Sequence, residues 1–135
     1  MSGRRFIDTN VIVHLLSSDP IKADRAEAVV AGGGVVSVQV LNEFASVGLR
    51  KAGLSVAEVR EVLAAVRAAC RVVAVGEAVH DRGLDLVERR RFSFWDAMIV
   101  AAALEAGCDE LVSEDMQYGR VIDGLTIRNP FRDGA

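Results

Sequence analysis

Short apolar runs alternate with capped helical segments along the whole chain, and this alternation constrains the fold more than any other feature. The runs predict strands and the segments between them predict helices. Strands that alternate with helices are typical of a parallel sheet covered on both faces. The predicted strands span residues 4–7, 35–38, 71–75, 110–113 and 125–128. We therefore expect a three-layer α/β fold with a central parallel sheet of four or five strands.

The helix starts are marked by residues that cap helices. Asp19 followed by Pro20 is an N-cap with proline in the first helical position. Ser55 and Glu58 have the spacing of a capping box, and Ser93 begins a similar pattern. The predicted helices span residues 9–16, 19–31, 38–52, 55–69, 77–90 and 93–107.

The composition limits the class of protein. A length of 135 residues favours one domain, residues 1–135, with a core of its own. The chain has no apolar run near the ~20 residues of a membrane helix and no signal-peptide pattern, so we expect a cytoplasmic protein. Cys70 and Cys108 are too few and too isolated for a disulfide framework or a zinc site, and we interpret them as core thiols. The net charge of −3 argues against non-specific binding to polyanions but leaves local nucleic-acid recognition open.

Four acids lie at the places where an α/β fold brings residues together: Asp8, Glu43, Asp96 and Asp115. Asp8 and Asp115 follow predicted strands, Asp96 opens a helix, and Glu43 lies on an apolar stripe of another helix. In a parallel sheet, the carboxyl ends of the strands and the adjacent helix starts line one crevice. Carboxylates gathered there repel one another, and a hard divalent cation relieves the repulsion. The pattern therefore predicts a Mg²⁺ or Mn²⁺ site.

Each acid also has a structural interpretation. Asp8 and Asp96 have the positions of helix caps, and Glu43 could face solvent. Asp115 could be a turn residue, and its neighbour Glu114 competes with it for the role of fourth acid. The sequence leaves the choice between Glu114 and Asp115 open.

Other polar residues accompany the acids. Thr9 and Asn10 place a hydroxyl and an amide directly after Asp8, and Ser113 precedes the acids of the last motif, so we expect these three to support the site. His14 and His80 lie on separate helices without a second ligand at metal-binding spacing, which favours surface or half-buried histidines.

A run of three arginines precedes the Asp96 helix. Such runs are usually solvated, but Arg89, Arg90 and Arg91 lie where they could flank the acidic crevice and contact phosphates.

Several short motifs occur in a fixed order along nearly the whole chain, and together they resemble a known family. The chain resembles a PIN-domain ribonuclease, and within that family the toxin of a VapBC-type toxin–antitoxin pair. The motifs are Asp8-Thr9-Asn10-Val11, Asn42-Glu43, Phe94-Trp95-Asp96-Ala97-Met98-Ile99, Ser113-Glu114-Asp115-Met116, Ile122-Asp123-Gly124-Leu125 and Asn129-Pro130-Phe131.

The resemblance implies an activity and a set of partners. It implies that Asp8, Glu43, Asp96 and Asp115 bind Mg²⁺ or Mn²⁺, and that the protein hydrolyses RNA to leave 5′-phosphate and 3′-hydroxyl ends. It further implies a VapB-like protein antitoxin and a homodimer. A non-catalytic RNA- or protein-binding module remains an alternative. Another Mg²⁺-dependent phosphoryl-transfer enzyme is the third possible function. Against it, Asp8-Thr9-Asn10 lacks the Asp-x-Asp of haloacid-dehalogenase-like phosphatases.

The apolar content exceeds what the chain needs for its own core. The mean hydropathy is +0.27, and the helices predicted at 38–52 and 55–69 carry many apolar residues, Phe44 among them. We expect a groove between these helices and the first helices of the chain. An apolar antitoxin helix would bind there.

Overall fold

The computed structural model of the protein describes residues 4–90 and 92–132. The strands are β1 (Arg5–Ile7), β2 (Gly34–Ser37), β3 (Cys70–Val73), β4 (Glu110–Val112), β5 (Val121–Ile122) and β6 (Leu125–Arg128). The helices are α1 (Thr9–Val13), α2 (Pro20–Ala31), α3 (Val38–Arg50), α4 (Val56–Ala69), α5 (Glu77–Arg90) and α6 (Phe94–Glu105), and a 3₁₀ turn (His14–Leu16) follows α1.

The strands form one sheet in the order β3-β2-β1-β4-β6-β5. The first five strands in this order run parallel, with Phe6 of β1 opposite both Val35 of β2 and Leu111 of β4. The α/β fold and its central parallel sheet are confirmed. The short β5 was not predicted; it pairs antiparallel with β6 around the turn at Asp123 and Gly124, both of which have positive φ.

The central strands are covered on both faces. Phe6 and Ile7 are both fully buried, and so are Val35 and Val36. Successive side chains of a strand point to opposite faces of the sheet, so neither face is open at these positions. This burial is the physical basis of the three-layer arrangement.

Helix α6 is a central element of the core. All seven residues from Ala97 to Ala103 are buried, so this helix is apolar around its whole circumference. It packs against α5, where Gly83 allows the close approach: a Cβ on Gly83 would lie 2.6 Å from the Sδ of Met98. This packing fixes the start of α6, and with it the position of Asp96.

The predicted caps set the helix boundaries. The Oγ of Ser55 accepts a hydrogen bond from the Glu58 amide at 3.1 Å, and the Glu58 carboxylate accepts one from the Ser55 amide at 2.9 Å. Asp19 and Ser93 cap α2 and α6 as expected. The predicted helix at 9–16 is a short α-helix followed by the 3₁₀ turn, and the helix predicted to residue 52 ends at Arg50. In the described part of the chain, no helix has the length and apolar character needed to cross a membrane.

Candidate acidic site at the carboxyl edge of the sheet

Asp8 lies at the end of β1 and caps α1. Its Oδ1 accepts a hydrogen bond from the Thr9 amide at 2.7 Å, and its Oδ2 accepts one from the Ser113 Oγ at 2.8 Å and one from the Asn10 Nδ2 at 3.2 Å. The residue is only 6% exposed. Asp8 is therefore both a helix cap and a buried carboxylate held by neutral donors, so the two interpretations of this residue are compatible.

Asn10 and Ser113 link the first strand to the fourth. The Asn10 Nδ2 also donates to the Ser113 Oγ at 3.2 Å, and the Asn10 Oδ1 accepts from the Glu114 amide at 3.0 Å. Because β1 and β4 are adjacent and parallel, their carboxyl ends meet at one edge of the sheet. Residues that are more than 100 positions apart in the sequence therefore lie together at this edge.

Glu43 reaches the same region from α3. Helix α3 begins directly after β2, with Ser37 as its N-cap. The Glu43 carboxylate accepts hydrogen bonds from the Thr9 Oγ1 at 2.5 Å and from the Gln39 Nε2 at 3.2 Å. Glu43 is half-buried. It therefore lies on an inward stripe of α3 and is connected to Asp8 through Thr9.

Asp96 and Asp115 form the exposed side of the acidic region. Asp96 is in the first turn of α6, where its amide donates to the Ser93 Oγ at 3.4 Å. Burial raises the pKa of Asp96, and the negative charges of Asp115 and Glu43 raise it further. These electrostatic effects place all three acids in one neighbourhood.

The charge of Asp8 is strongly disfavoured in the folded protein. Burial raises the pKa of Asp8 to about 6, and the charges of Asp96 and Glu43 add to the increase, while hydrogen bonds from Ser113 and Thr9 oppose it. In the described residues, no Lys, Arg or His forms an ion pair with Asp8, Glu43, Asp96 or Asp115. The acidic region therefore carries negative charge without a protein cation to balance it.

Glu114 faces a different environment from Asp115. Its two carboxylate oxygens contact the His14 Nε2 at 2.7 Å and the Lys22 Nζ at 2.8 Å. Although partial burial raises the pKa of Glu114, these partners outweigh it and hold the pKa below its usual value. The charge of Glu114 is thus compensated by the protein, whereas the charge of Asp115 raises the pKa of Asp96.

The donor chemistry fits a hard divalent cation, although the ligand geometry is not assembled. Across residues 4–90 and 92–132, no group of three His, Cys, Asp or Glu side chains is arranged to hold a metal ion. The acids are nevertheless neighbours, their oxygen atoms are the ligands that Mg²⁺ and Mn²⁺ prefer, and their charges repel. A cation would relieve that repulsion.

Two arginines of the predicted run, Arg89 and Arg90, lie at the end of α5. The Arg90 Nη2 pairs with the Asp123 Oδ1 at 3.2 Å, and the Arg120 Nη2 donates to the Arg90 carbonyl at 2.9 Å. Arg89 is exposed, and Arg91 lies outside the described residues. Arg90 is therefore partly engaged within the protein, and the role of the run in RNA binding stays a prediction.

The sequence analysis did not identify Gln39 as part of this region. Gln39 is buried, and its Nε2 contacts both Glu43 and the Trp95 carbonyl, the latter at 3.3 Å. Its spacing of four residues before Glu43 was the available signal, because such pairs share one face of a helix. It links α3 to the start of α6.

The comparisons with known proteins support one fold. No curated protein matches the chain. The structure is similar to a toxin–antitoxin complex from Klebsiella pneumoniae, with 20% identity and a TM-score of 0.70 over 94% of this chain and 98% of that chain. It is also similar to Mycobacterium tuberculosis VapC20, a toxin that cleaves the sarcin–ricin loop, with 20% identity and a TM-score of 0.61 over 79% and 86% of the two chains. Rickettsia felis VapBC2 bound to a promoter DNA fragment shows 16% identity and a TM-score of 0.66 over 93% and 97%.

These likenesses at low identity show a shared fold. A sequence model of the PIN domain family matches residues 5–123, a segment that contains all four predicted acids. The matched segment covers most of the chain, and the chain therefore belongs to the PIN domain family.

Proposed function

We propose that this protein is a metal-dependent endoribonuclease and the toxin of a toxin–antitoxin pair. The observation that carries the proposal is Asp8, a buried carboxylate without a cationic partner in the described structure, next to Glu43 and Asp96. A cluster of this kind raises the free energy of the folded protein unless a cation neutralises it. Its position at the carboxyl edge of a PIN-domain sheet supports a catalytic role.

Each acid has a specific part in the proposal. Asp8, Glu43, Asp96 and Asp115 would hold Mg²⁺ or Mn²⁺, with Asp115 rather than Glu114 as the fourth acid because Glu114 is neutralised by His14 and Lys22. The bound cation would supply a Lewis acid for hydrolysis of a phosphodiester bond.

The neutral residues orient the acids. Thr9 holds Glu43 through its hydroxyl and Asp8 through its amide, while Ser113 and Asn10 hold the other oxygen of Asp8. These donors fix carboxylate positions without adding a positive charge that would compete with the metal.

RNA is the proposed substrate. One similar structure is that of a toxin that cleaves the sarcin–ricin loop. Arg89 and Arg90 at the end of α5, together with Arg91 next to them in the sequence, would contact backbone phosphates, which position a nucleic acid without reading its sequence. We further propose that the protein acts in the cytoplasm and forms a homodimer.

An antitoxin is the proposed partner, since two of the similar structures are toxin–antitoxin assemblies. A groove of about 620 Å³ lies between α4 and the segment formed by the 3₁₀ turn and α2. Its apolar lining suits an apolar helix, and Glu27, Glu58 and Glu61 at the groove favour basic residues beside that helix's apolar stripe. The apolar lining includes Leu15, Leu16, Val30, Leu54, Val62 and Val66.

The groove does not include Phe44. Phe44 was expected among the apolar residues beside the groove, but it is fully buried in the core and does not reach the groove surface. Val62 is half-buried in the groove, while Val56 lies on the same helix outside it and is 53% exposed. We expect Val62→Glu to weaken antitoxin binding at least tenfold and Val56→Glu to leave it unchanged, as measured by calorimetry. Equal affinities for the two variants would place the antitoxin elsewhere.

To test the activity, the purified protein is incubated in Mg²⁺ with an RNA and with a single-stranded DNA of the same sequence. We expect the RNA to be cleaved to products with 5′-phosphate ends. The Asp96→Asn variant should cleave it at least a hundredfold more slowly. If the wild-type protein binds RNA without cleaving it, the chain is a non-catalytic binding module.

A further inference from the structure

A pocket of about 720 Å³ lies beside the acidic region and shares Glu43 with it. Its walls come from the first half of α3, the segment after β3 and the start of α6, where Trp95 directly precedes Asp96. The volume is within the ~300–1,000 Å³ of typical small-molecule sites. A ligand held at the acids therefore has room to extend into this pocket.

Trp95 is the aromatic surface of the pocket. It is 62% exposed, although large aromatic side chains are usually mostly buried. Its ring packs against Phe94 in an edge-to-face contact at 4.9 Å and 72°, and Phe94 contacts His80 in turn at 6.4 Å. The ring is thus positioned by neighbours while much of its surface stays available for stacking.

Gln39 lines the same pocket and carries a hydrogen-bond acceptor that no described residue uses. Its Nε2 donates to Glu43 and to the Trp95 carbonyl, which assigns the other side-chain atom as the carbonyl oxygen. That Oε1 is buried and has no hydrogen-bond donor among residues 4–90 and 92–132. Buried acceptors in native proteins normally have a donor. A small shift of the Gln39 side chain would bring its Oε1 to the pocket surface, where a ligand would supply that donor.

The described walls of the pocket offer no positive charge that would bind a phosphate. Among the described residues, the lining contains no Lys, Arg or His, and Glu43 is its one ionisable residue. Val38, Val75 and Met98 add apolar side chains to the lining. A flat, uncharged group with an amine at its edge matches this lining.

We propose that this pocket binds the nucleobase next to the scissile phosphate, stacked on Trp95 and donating from its exocyclic amine to the Gln39 Oε1. The proposal rests on the proposed ribonuclease function and adds a determinant of base preference to it. Sequence-specific recognition of single-stranded RNA commonly splays out a base and stacks it on an aromatic side chain. Adenine and cytosine carry the required amine, and uracil does not.

The fluorescence of Trp95 reports whether a ligand occupies the pocket, because Trp95 is the sole tryptophan of the chain. We would titrate the full-length protein in EDTA, which prevents cleavage, with octamers of adenylate, of uridylate, and of abasic ribose phosphate. Oligoadenylate should quench the fluorescence and bind about three- to tenfold more tightly than oligouridylate, as one additional hydrogen bond allows. The abasic octamer should leave the fluorescence unchanged.

Variants separate the pocket from the rest of the surface. Trp95→Ala should weaken the binding of fluorescein-labelled oligoadenylate about tenfold or more, and Trp95→Phe should weaken it less, because a smaller ring still stacks. Tyr118→Ala is the matched control, since Tyr118 is also an exposed aromatic residue but lines a different pocket. Ala74→Leu fills the pocket and keeps the Trp95 reporter, so it should abolish the quenching.

The outcomes distinguish this inference from the proposed function. RNA binding without quenching, equal quenching by the abasic octamer, or equal affinity of Trp95→Ala and wild type would overturn the base pocket and leave the ribonuclease intact. Absence of RNA binding by anisotropy in EDTA would overturn the base pocket, and absence of RNA cleavage in Mg²⁺ would overturn the ribonuclease. If sedimentation shows that Trp95→Ala changes the oligomeric state while RNA affinity is unchanged, the pocket is an interface between copies and the inference fails.

Discussion

The Oγ of Ser113 donates a hydrogen bond to the Oδ2 of Asp8 at 2.8 Å and so joins residues that are 105 positions apart in the sequence. Ser113 follows β4 and Asp8 follows β1, and these strands are neighbours in the sheet. This bond lowers the pKa of Asp8 against the opposing effects of burial and of nearby acids. The pairing of β1 with β4 thus partly offsets the effect of burial on the pKa of Asp8.

Ser113→Ala should move the pH dependence of cleavage to higher pH. The substitution removes the side-chain donor that most favours the charged form of Asp8, so the pKa of Asp8 rises further. We expect the rate at neutral pH to fall roughly 10- to 100-fold, as for other residues that orient metal ligands. Ser18→Ala, at an exposed serine, is the control. An unchanged pH profile would show that Ser113 does not act through Asp8.

Asp8→Asn should change the pH dependence of stability in metal-free protein. The folded pKa of Asp8 is about 6 and the ordinary value is 3.8. Between these values the folded state binds more protons than the unfolded state, so the free energy of unfolding falls as the pH rises, by an amount on the order of 3 kcal/mol. Asp8→Asn should lack this decrease.

Urea denaturation of both proteins in EDTA, at pH values on either side of this range, measures the difference. Wild type should lose stability relative to Asp8→Asn as the pH increases. Parallel stability curves for the two proteins would contradict the raised pKa of Asp8.

Much of the fold could be predicted because the signals were local. The capping box at Ser55 and Glu58 and the Pro20 start of α2 depend only on nearby residues, and the structure has both. The two-residue β5 escaped prediction because its pairing depends on the Asp123–Gly124 turn rather than on an apolar run.

The candidate site was predictable in its backbone placement and not in its contacts. Strand ends and helix starts placed the acids at one edge, but the sequence could not choose between Glu114 and Asp115. That choice depends on His14 and Lys22, whose contacts with Glu114 span 100 and 92 positions and leave no local signal. The position of the exposed Trp95 beside Gln39 also depends on a contact between distant residues, so the sequence could not predict it.

The two neighbouring acids should differ sharply in mutational effect. Asp115→Asn should reduce cleavage at least tenfold, because Asp115 is the proposed fourth acid. Glu114→Gln should retain activity, because its carboxylate is paired with His14 and Lys22 away from the other acids. A cleavage assay on both variants in parallel is sufficient, and the reverse ranking would assign the role to Glu114.

Gly34→Ala should destabilise the protein through the contact of β2 with β1. A Cβ at Gly34 would lie 2.6 Å from the Arg5 carbonyl oxygen, and φ is +154°. The expected loss is about 1–3 kcal/mol of unfolding free energy. Gly76→Ala is the control, because no atom lies within 4 Å of its added Cβ. Thermal melts that show similar losses for both variants would contradict the close approach of the strands.

The central claim is that Asp8, Glu43, Asp96 and Asp115 together hold a divalent cation that RNA cleavage requires. Its most direct test is the cleavage rate of one RNA by EDTA-treated protein as Mg²⁺ or Mn²⁺ is added back, for wild type and for Asp8→Asn. We predict no cleavage in EDTA, full recovery with metal in wild type, and no recovery in Asp8→Asn. Cleavage that persists in EDTA, or full activity of Asp8→Asn, would contradict the account.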